Sequence, residues 1–189
     1  TWALHHTITD AEAYKLAYTN DTLVLTYNYT GASPNQRRAV SAAGSATSGA
    51  SNWGTSVALA ENGDPANSMI SDDLGARSPH RIAAGNGRVV CCDTQTAILL
   101  IVDGKTITVS GARTTIAGAG GIIDSNISSV ATNGEGTWYI GSPYTGKPGD
   151  IAINTNNGNP ASWVVLAENI ASAGNDYARS MAVDRYLPL

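Results

Sequence analysis

Four segments of the chain repeat one pattern of residues, and this repeat constrains the fold more than any other feature. The segments begin at Tyr14, His80, Ile127 and Tyr177. Each has an apolar residue followed by Ala, then a polar turn rich in Asn, Asp or Gly, then a second apolar run. The first copy reads YKLAYTNDTLVLTYN and the second HRIAAGNGRVVCCDT. Because Asn and Gly accept the positive φ angles of tight turns, each segment is predicted to form a β-hairpin.

Two more strands are predicted after each of the first three hairpins. Units of about 40–50 residues with four strands each are typical of β-propeller blades. A β-sandwich with the same number of strands is the alternative, but a sandwich gives no reason for the pattern to recur in register. The third strand is centred on 39–41, 97–99 and 151–153, and the fourth on 53–59, 107–109 and 163–166.

We therefore expect an all-β protein, a β-propeller-like array of about four four-stranded blades. One blade is completed by strands from the N-terminal and C-terminal segments together, which removes two unpaired sheet edges. The sequence does not distinguish a ring closed within one chain from a ring closed between two copies. Within a single domain over 1–189, the expected parts are an outer strand of the closing blade at 1–10, blades at 11–60, 78–110 and 126–170, and inner strands of the closing blade at 177–189.

The turns between third and fourth strands resemble a degenerate Asp-box, the Ser-x-Asp-x-Gly-x-x-Trp turn of sialidase-type (BNR-like) β-propellers. The resemblance lies in VDGKTI, which begins at Val102, and NTNNGNPASW, which begins at Asn154. The first stretch keeps the acid of the motif as Asp103, whereas in the second stretch Asn157 occupies the position of the acid. In that family the motif is structural, since a side-chain oxygen ties the turn and the Trp packs between blades. The resemblance implies structural roles for Trp2, Trp53, Asp103, Gly104, Gly158 and Trp163.

The loosely written repeat and the composition also resemble bacteriophage virion and tail proteins. The composition is rich in small residues, with 20 Gly, and poor in Lys, which occurs three times. This resemblance implies a non-enzymatic structural or attachment protein of a phage particle, with a decoration, tail or host-recognition role. Its partners would be other virion proteins or copies of itself, and its location the virion, or otherwise solution or an extracellular surface.

A sialidase-like glycoside hydrolase is the least favoured alternative. Such an enzyme would need three Arg converging on a carboxylate, a Tyr–Glu pair and an acid. Four Arg fall near strand-linking loops, where ion pairs between blades are the simpler interpretation. The acids are scattered, and LAEN occurs twice, at 59–62 and 166–169, which favours a structural role for its Glu. We expect no enzymatic activity; the four Arg are Arg77, Arg81, Arg113 and Arg179.

Neither a metal nor a cofactor is expected. The histidines are His5, His6 and His80, and adjacent residues on a strand point to opposite faces of the sheet, so the first two cannot share an ion. The same rule places Cys91 and Cys92 on opposite faces as small buried side chains.

Nucleic acid and membranes are disfavoured as partners. The net charge is −4 and no run of basic residues occurs, whereas nucleic-acid binding depends on clustered Lys and Arg. No segment approaches the ~20 apolar residues of a membrane-spanning helix. No signal peptide is visible at the N-terminus.

A ligand site is predicted on the loops that join second to third strands. The first such loop is predicted to carry Tyr27, Asn28 and Tyr29, and the third to carry Tyr144 and Lys147. Tyr and Asn suit polar contacts with sugars or with protein. A carbohydrate-binding propeller or lectin that recognises surface glycans is therefore the second functional hypothesis. Ordinary surface turns with a few packed Tyr are the alternative interpretation.

Overall fold

The predicted all-β class is confirmed. The computed structural model describes residues 7–31, 36–44, 52–60, 81–92, 96–116, 121–123, 127–144 and 147–167. These residues include a short 3-10 helix, Pro160–Ser162. The strands are β1 Ala11–Thr19, β2 Thr22–Tyr29, β3 Gln36–Ala43, β4 Val57–Ala58, β5 Arg81–Gly85, β6 Arg88–Cys92, β7 Thr96–Asp103, β8 Thr106–Thr115, β9 Ser129–Thr132, β10 Trp138–Tyr144, β11 Lys147–Asn154 and β12 Trp163–Ala167.

Within the described ranges, the strands form three antiparallel sheets of four strands each. The first sheet contains β1–β4, the middle sheet β5–β8 and the third sheet β9–β12, and in every sheet the strand order follows the sequence. Ala17, Ala83 and Ala131 each lie in the first strand of their sheet and pair with the second strand. The repeat therefore corresponds to one hairpin at the start of each sheet. The fourth copy, with Ala182, lies outside the described residues.

The first strands of the three sheets are neighbours. Strand β5 contacts both β1 and β9, so the middle sheet lies between the other two. Each first strand turns back at the same end of the structure, which brings the three hairpin tips together. A Cβ built on Gly85 would lie 2.6 Å from Cα of Gly134, so the middle and third sheets meet there backbone to backbone.

Turn chemistry explains the first two hairpins. Asn20 and Asp21 have φ angles of 45° and 53°, and Asn86 and Gly87 have φ angles of 51° and 71°. Two successive positive φ angles are the pattern of a type I′ turn, whose twist matches that of the paired strands. These local preferences fix the register of β1 with β2 and of β5 with β6.

One face of the middle sheet packs on the first sheet. The apolar cluster between them, the first–middle core, is closed to solvent and draws on strands of both sheets. Its buried members are Val24, Ala39, Leu59, Val89, Cys91, Ile98, Leu100, Val102 and Ile107.

The other face of the middle sheet packs on the third sheet. Cys92 lies in this cluster and Cys91 in the first–middle core, so the two thiols point to opposite faces as predicted, and neither forms a disulfide. The buried members of the middle–third core are Val90, Cys92, Ala97, Leu99, Ile116, Ile123, Ile127, Trp138, Ile140, Ala152 and Trp163.

Hydrogen bonds at the turns also join the first sheet to the middle sheet. Thr19 and Thr22 flank the first hairpin turn. The Oγ1 of Thr19 accepts a hydrogen bond of 2.9 Å from the amide of Gly87, and the Oγ1 of Thr22 accepts one of 3.1 Å from the amide of Gly104. Both turns of the middle sheet at this end are therefore held by one hairpin of the first sheet.

The fourth strand of the first sheet is shorter than predicted. The sequence suggested a strand over 53–59, but β4 contains only Val57–Ala58, and Trp53 forms an isolated bridge with Ala42. The reason is Gly54, whose backbone lies so close to the Lys105 carbonyl oxygen that a Cβ would collide with it. The Gly54 amide still donates a hydrogen bond of 2.8 Å to the Ser41 carbonyl of β3, and the pairing then slips by one residue, because Trp53 bridges Ala42 whereas Val57 pairs with Ala39. The segments 1–6 and 168–189, which contain most of the predicted closing blade, lie outside the described residues.

The apolar middle strands should dominate stability. Leu100 is fully buried in the first–middle core, whereas its neighbour Ile101 is 39% exposed. Replacing Leu100 by Ala is expected to lower the free energy of unfolding by about 2–5 kcal/mol, since it removes buried methyl groups and leaves a cavity. Urea denaturation followed by Trp fluorescence measures this.

The matched control is Ile101→Ala in the same strand. It should cost less than half as much, because that side chain already contacts water. Equal losses for the two variants would contradict the difference in burial between Leu100 and Ile101.

Candidate functional site

The residues predicted to form a ligand loop lie in a strand. Strand β2 extends through Tyr29, which pairs with Ala11 on one side and Gln36 on the other. Thr and Tyr fit the pleated surface well, so the second strand stays paired to its end. The prediction that Tyr27, Asn28 and Tyr29 lie in a loop is therefore wrong.

Tyr27 and Asn28 are both buried, on opposite faces of the first sheet. Tyr27 is 2% exposed, and its hydroxyl shares a hydrogen bond of 2.5 Å with the hydroxyl of Ser56. Asn28 is 3% exposed, and its Oδ1 has no hydrogen-bond partner among the described residues. Neither side chain presents a surface to a ligand in solution.

Tyr29 is half-buried and held from two sides. The Arg38 guanidinium lies 4.4 Å from the centre of its ring, a cation–π contact, and a Cβ on Gly31 would lie 2.5 Å from its hydroxyl oxygen. Two hydrogen bonds, of 3.1 and 2.9 Å, fix the same guanidinium on Oε1 of Gln36. Tyr29 thus contributes to the packing at this end of the first sheet.

The other two predicted ligand residues lie in the third sheet. Tyr144 ends β10 and Lys147 begins β11, and the two pair across a two-residue connection. They are at the end of the structure opposite to the hairpin tips, as Tyr29 is. Because the middle sheet lies between the first and third sheets, the structure does not bring the five predicted residues into one site.

The predicted Asp-box turn of the middle sheet differs from the pattern. Asp103 is exposed and its carboxylate has no hydrogen-bond partner among the described residues. Gly104 has a φ of 55°, which favours Gly, and its amide is bound by Thr22 of the first sheet. In an Asp-box, an acidic side chain within the turn would hold the turn by hydrogen bonds. Here a hydroxyl of the first sheet, that of Thr22, holds the turn instead.

The corresponding turn of the third sheet is closer to the Asp-box pattern, but the side chain that holds the turn by hydrogen bonds is Asn154. This side chain is fully buried; its Oδ1 accepts hydrogen bonds of 2.9 and 3.1 Å from the amides of Asn156 and Gly158, and its Nδ2 donates one of 2.7 Å to the Asn159 carbonyl. Asn157, expected to take the place of the acid, is exposed with a φ of 53°. Counting four residues back from Gly158 gives the Ser position of the motif, which is the signal that identifies Asn154.

The glycine and Trp of this turn pack between sheets. A Cβ on Gly158 would lie 3.0 Å from Cδ1 of Leu99 and 3.3 Å from Cγ2 of Val90, both in the middle sheet. Trp163 is 7% exposed and belongs to the middle–third core. Trp53 is half-buried at its bridge to the first sheet, and Trp2 lies outside the described residues.

A cleft opens where the three hairpin tips meet, and no pattern in the sequence predicts it. Its volume is about 390 Å³. At its rim, the hydroxyl of Tyr18 donates a hydrogen bond of 2.7 Å to Oδ1 of Asp21. This bond, with desolvation and the nearby carboxylate charge, raises the pKa of the Tyr18 phenol. The cleft is lined by Tyr18, Thr19, Asn20, Ala84, Gly85, Asn86, Thr132 and Gly134.

The described residues offer few groups of the kind that carry catalysis. No three His, Cys, Asp or Glu side chains in this part of the chain lie together in a way that could hold a metal ion. Of the four Arg considered for carboxylate binding, Arg81 begins β5 and Arg113 lies within β8, while Arg77 and Arg179 are outside the described residues. The three histidines are outside them as well. No helix in the described ranges has the length and apolar character needed to cross a membrane.

Comparison with known proteins gives no relative. No family model matches the chain, and neither a curated protein nor a solved structure matches it. The resemblances to Asp-box propellers and to phage tail proteins therefore stay predictions. The function is therefore inferred from the chemistry of the described surfaces.

The tie in the third-sheet turn is testable. Replacing Asn154 by Ala should lower the free energy of unfolding by about 2–4 kcal/mol, because two turn amides and one carbonyl lose their partner in a buried setting. Thermal or urea unfolding measures the loss.

Asn156→Ala is the control, because that side chain is exposed and donates only to Oγ of Ser162. Its cost should stay below about 1 kcal/mol. If the two variants are equally stable, Asn154 does not hold the turn.

Proposed function

We propose that the chain is a non-enzymatic structural or attachment module of a bacteriophage particle, built as a β-propeller-like ring of four-stranded blades. The observation that carries the proposal is the apolar character of both outward faces of the three-sheet stack. These faces need a partner, and a ring supplies one. The particle itself is inferred from the sequence resemblance alone.

The first sheet has an apolar outward face. Leu16 and Tyr18 are 63% and 58% exposed, and they pair with Leu25 and Leu23 of the next strand. Paired residues of an antiparallel sheet lie on the same face, so the four side chains form one patch. Contiguous apolar patches of this kind mark interaction surfaces.

The third sheet has a similar face on the opposite side of the stack. Val164 and Leu166 are 56% and 52% exposed in β12, and Val164 pairs with Ile153. The middle sheet, in contrast, buries both of its faces. The stack therefore ends in two apolar surfaces that resemble the buried faces within it.

The N-terminal and C-terminal segments adjoin these two sheets in the sequence. The segment 168–189 follows β12 of the third sheet, and 1–10 precedes β1 of the first sheet. The fourth copy of the repeat lies in the C-terminal segment and Trp2 in the N-terminal one. A fourth blade assembled from both segments would cover the two outward faces and close the ring. A second copy of the chain presenting the same faces would do so between molecules.

The polar groups of the sheets also support a structural role. Thr19 and Thr22 join two sheets, Asn154 ties a turn, and Tyr27 bonds to Ser56. These side chains serve contacts within the protein. A lectin site at the five residues predicted from the sequence has no such support, because the structure separates them.

Lysine substitutions test whether the outward faces are covered. We expect Leu16→Lys and Val164→Lys each to lower the free energy of unfolding by about 2 kcal/mol or more, since a charge would be placed in an apolar contact. Urea denaturation gives the free energy, and native mass spectrometry separates closure within one chain from closure between copies.

Thr108→Lys is the control, because this residue is exposed in β8, which like β12 is the outermost strand of its sheet. It should change stability by no more than about 0.5 kcal/mol. Equally small effects at Leu16 and Val164 would show that both faces are bare in solution and would remove the basis of the ring.

The particle role is tested on phage produced by cells that carry the coding sequence. We expect quantitative mass spectrometry of purified particles to find the chain at a fixed copy number, and electron microscopy to place it at one repeated position. The purified chain should not hydrolyse an aryl sialoside. Absence from the particles, or turnover that is lost on Arg81→Ala, would contradict the proposal.

A further inference from the structure

We infer that the cleft at the three hairpin tips binds a neutral saccharide. The cleft is about 390 Å³, within the usual range of small-ligand sites, and each of the three sheets contributes to its wall. Its residues lie in the described sheets, so the inference does not depend on the particle; it rests on the proposed ring only in that a closing blade must leave the Tyr18 ring open to the cleft. The cleft also lies at the end of the structure opposite to the residues that the sequence suggested for sugar binding.

The lining residues that the structure describes are polar or small, and none of them carries a formal charge. Hydroxyl, amide and backbone groups make up its polar part, and no Lys, Arg, Asp or Glu is among the lining residues in the described ranges. Asp21, which follows Asn20 in the same turn, accepts the hydrogen bond of Tyr18, and its charge would repel an anion. A ligand rich in hydroxyl groups and without charge matches this surface best.

Tyr18 supplies a fixed aromatic face. The ring is 58% exposed, yet Asp21 holds its hydroxyl, and a Cβ on Gly44 would lie 2.8 Å from its Cε2 atom. An exposed ring held from two sides loses little conformational freedom when a ligand packs on it. Aromatic faces take the C–H side of a sugar ring and leave its hydroxyl groups free for hydrogen bonds.

Asn20 and Asn86 supply hydrogen bonds beside that ring. Both are exposed at turn positions with positive φ, and neither side-chain amide has a partner among the described residues. An amide offers a donor and an acceptor together, which suits two adjacent hydroxyl groups. The hydroxyls of Thr19 and Thr132, in contrast, already accept from the amides of the nearby turns.

Two glycines line the cleft where the middle and third sheets meet. The close approach of Gly85 to Gly134 leaves no room for a side chain on Gly85. The backbones of the middle and third sheets therefore meet directly at this part of the cleft wall.

The experiment titrates the full-length chain with a panel of saccharides. The neutral probes are glucose, galactose, mannose, N-acetylglucosamine and their disaccharides, and the charged probe is N-acetylneuraminic acid. Binding is followed by calorimetry and by NMR shifts. We expect at least one neutral probe to bind saturably, with Tyr18→Ala weakening it tenfold or more and Asn86→Asp threefold or more.

Two variants serve as controls. Tyr18→Phe keeps the ring and should stay within threefold of the original affinity, and Thr108→Ala, on β8 of the middle sheet, should have no effect. If Tyr18→Ala does not fold, the affinities of Asn20→Asp and Asn86→Asp test the inference. Both variants are expected to fold, because Asp tolerates the same backbone conformation as Asn. Binding of the charged probe only, binding unaffected by the cleft variants, or no binding of any neutral probe would overturn the inference.

Discussion

The structure depends on the burial of both faces of the middle sheet. Neighbouring residues of its strands enter different apolar clusters, as Cys91 and Cys92 do, so a single sheet joins the first sheet to the third. This explains why 97–102 is continuously apolar instead of alternating, a pattern usual for a sheet covered on two sides. Without that sheet, neither of its neighbours has a described surface on which to bury its inner face.

The hairpins were predictable because their turns are set by local chemistry. Asn20-Asp21 and Asn86-Gly87 select a turn from their own φ preferences, and strand register follows from it. The all-β class and the three hairpin positions could be read from the sequence for this reason. The shortened β4 could not, because it depends on how Gly54 meets the Lys105 carbonyl of another sheet.

The candidate site was harder to predict, since exposure depends on neighbours that are distant in sequence. Tyr27 looked like a binding residue in the sequence, but its hydroxyl meets Ser56, which is 29 positions away. Tyr18 looked like part of a repeated strand, yet it is at the rim of a cleft. That cleft exists only because three hairpin tips converge, and no single segment encodes it.

Every sheet pairs strands that follow one another in the chain, and this has a consequence for how the protein reaches its structure. Strand pairing between sequence neighbours closes short loops, so the loss of chain entropy at each step is small. Each meander can collapse locally before it docks on the one before it. Rapid, stepwise folding in the direction of synthesis is therefore favoured, even though all-β chains with distant pairings fold slowly.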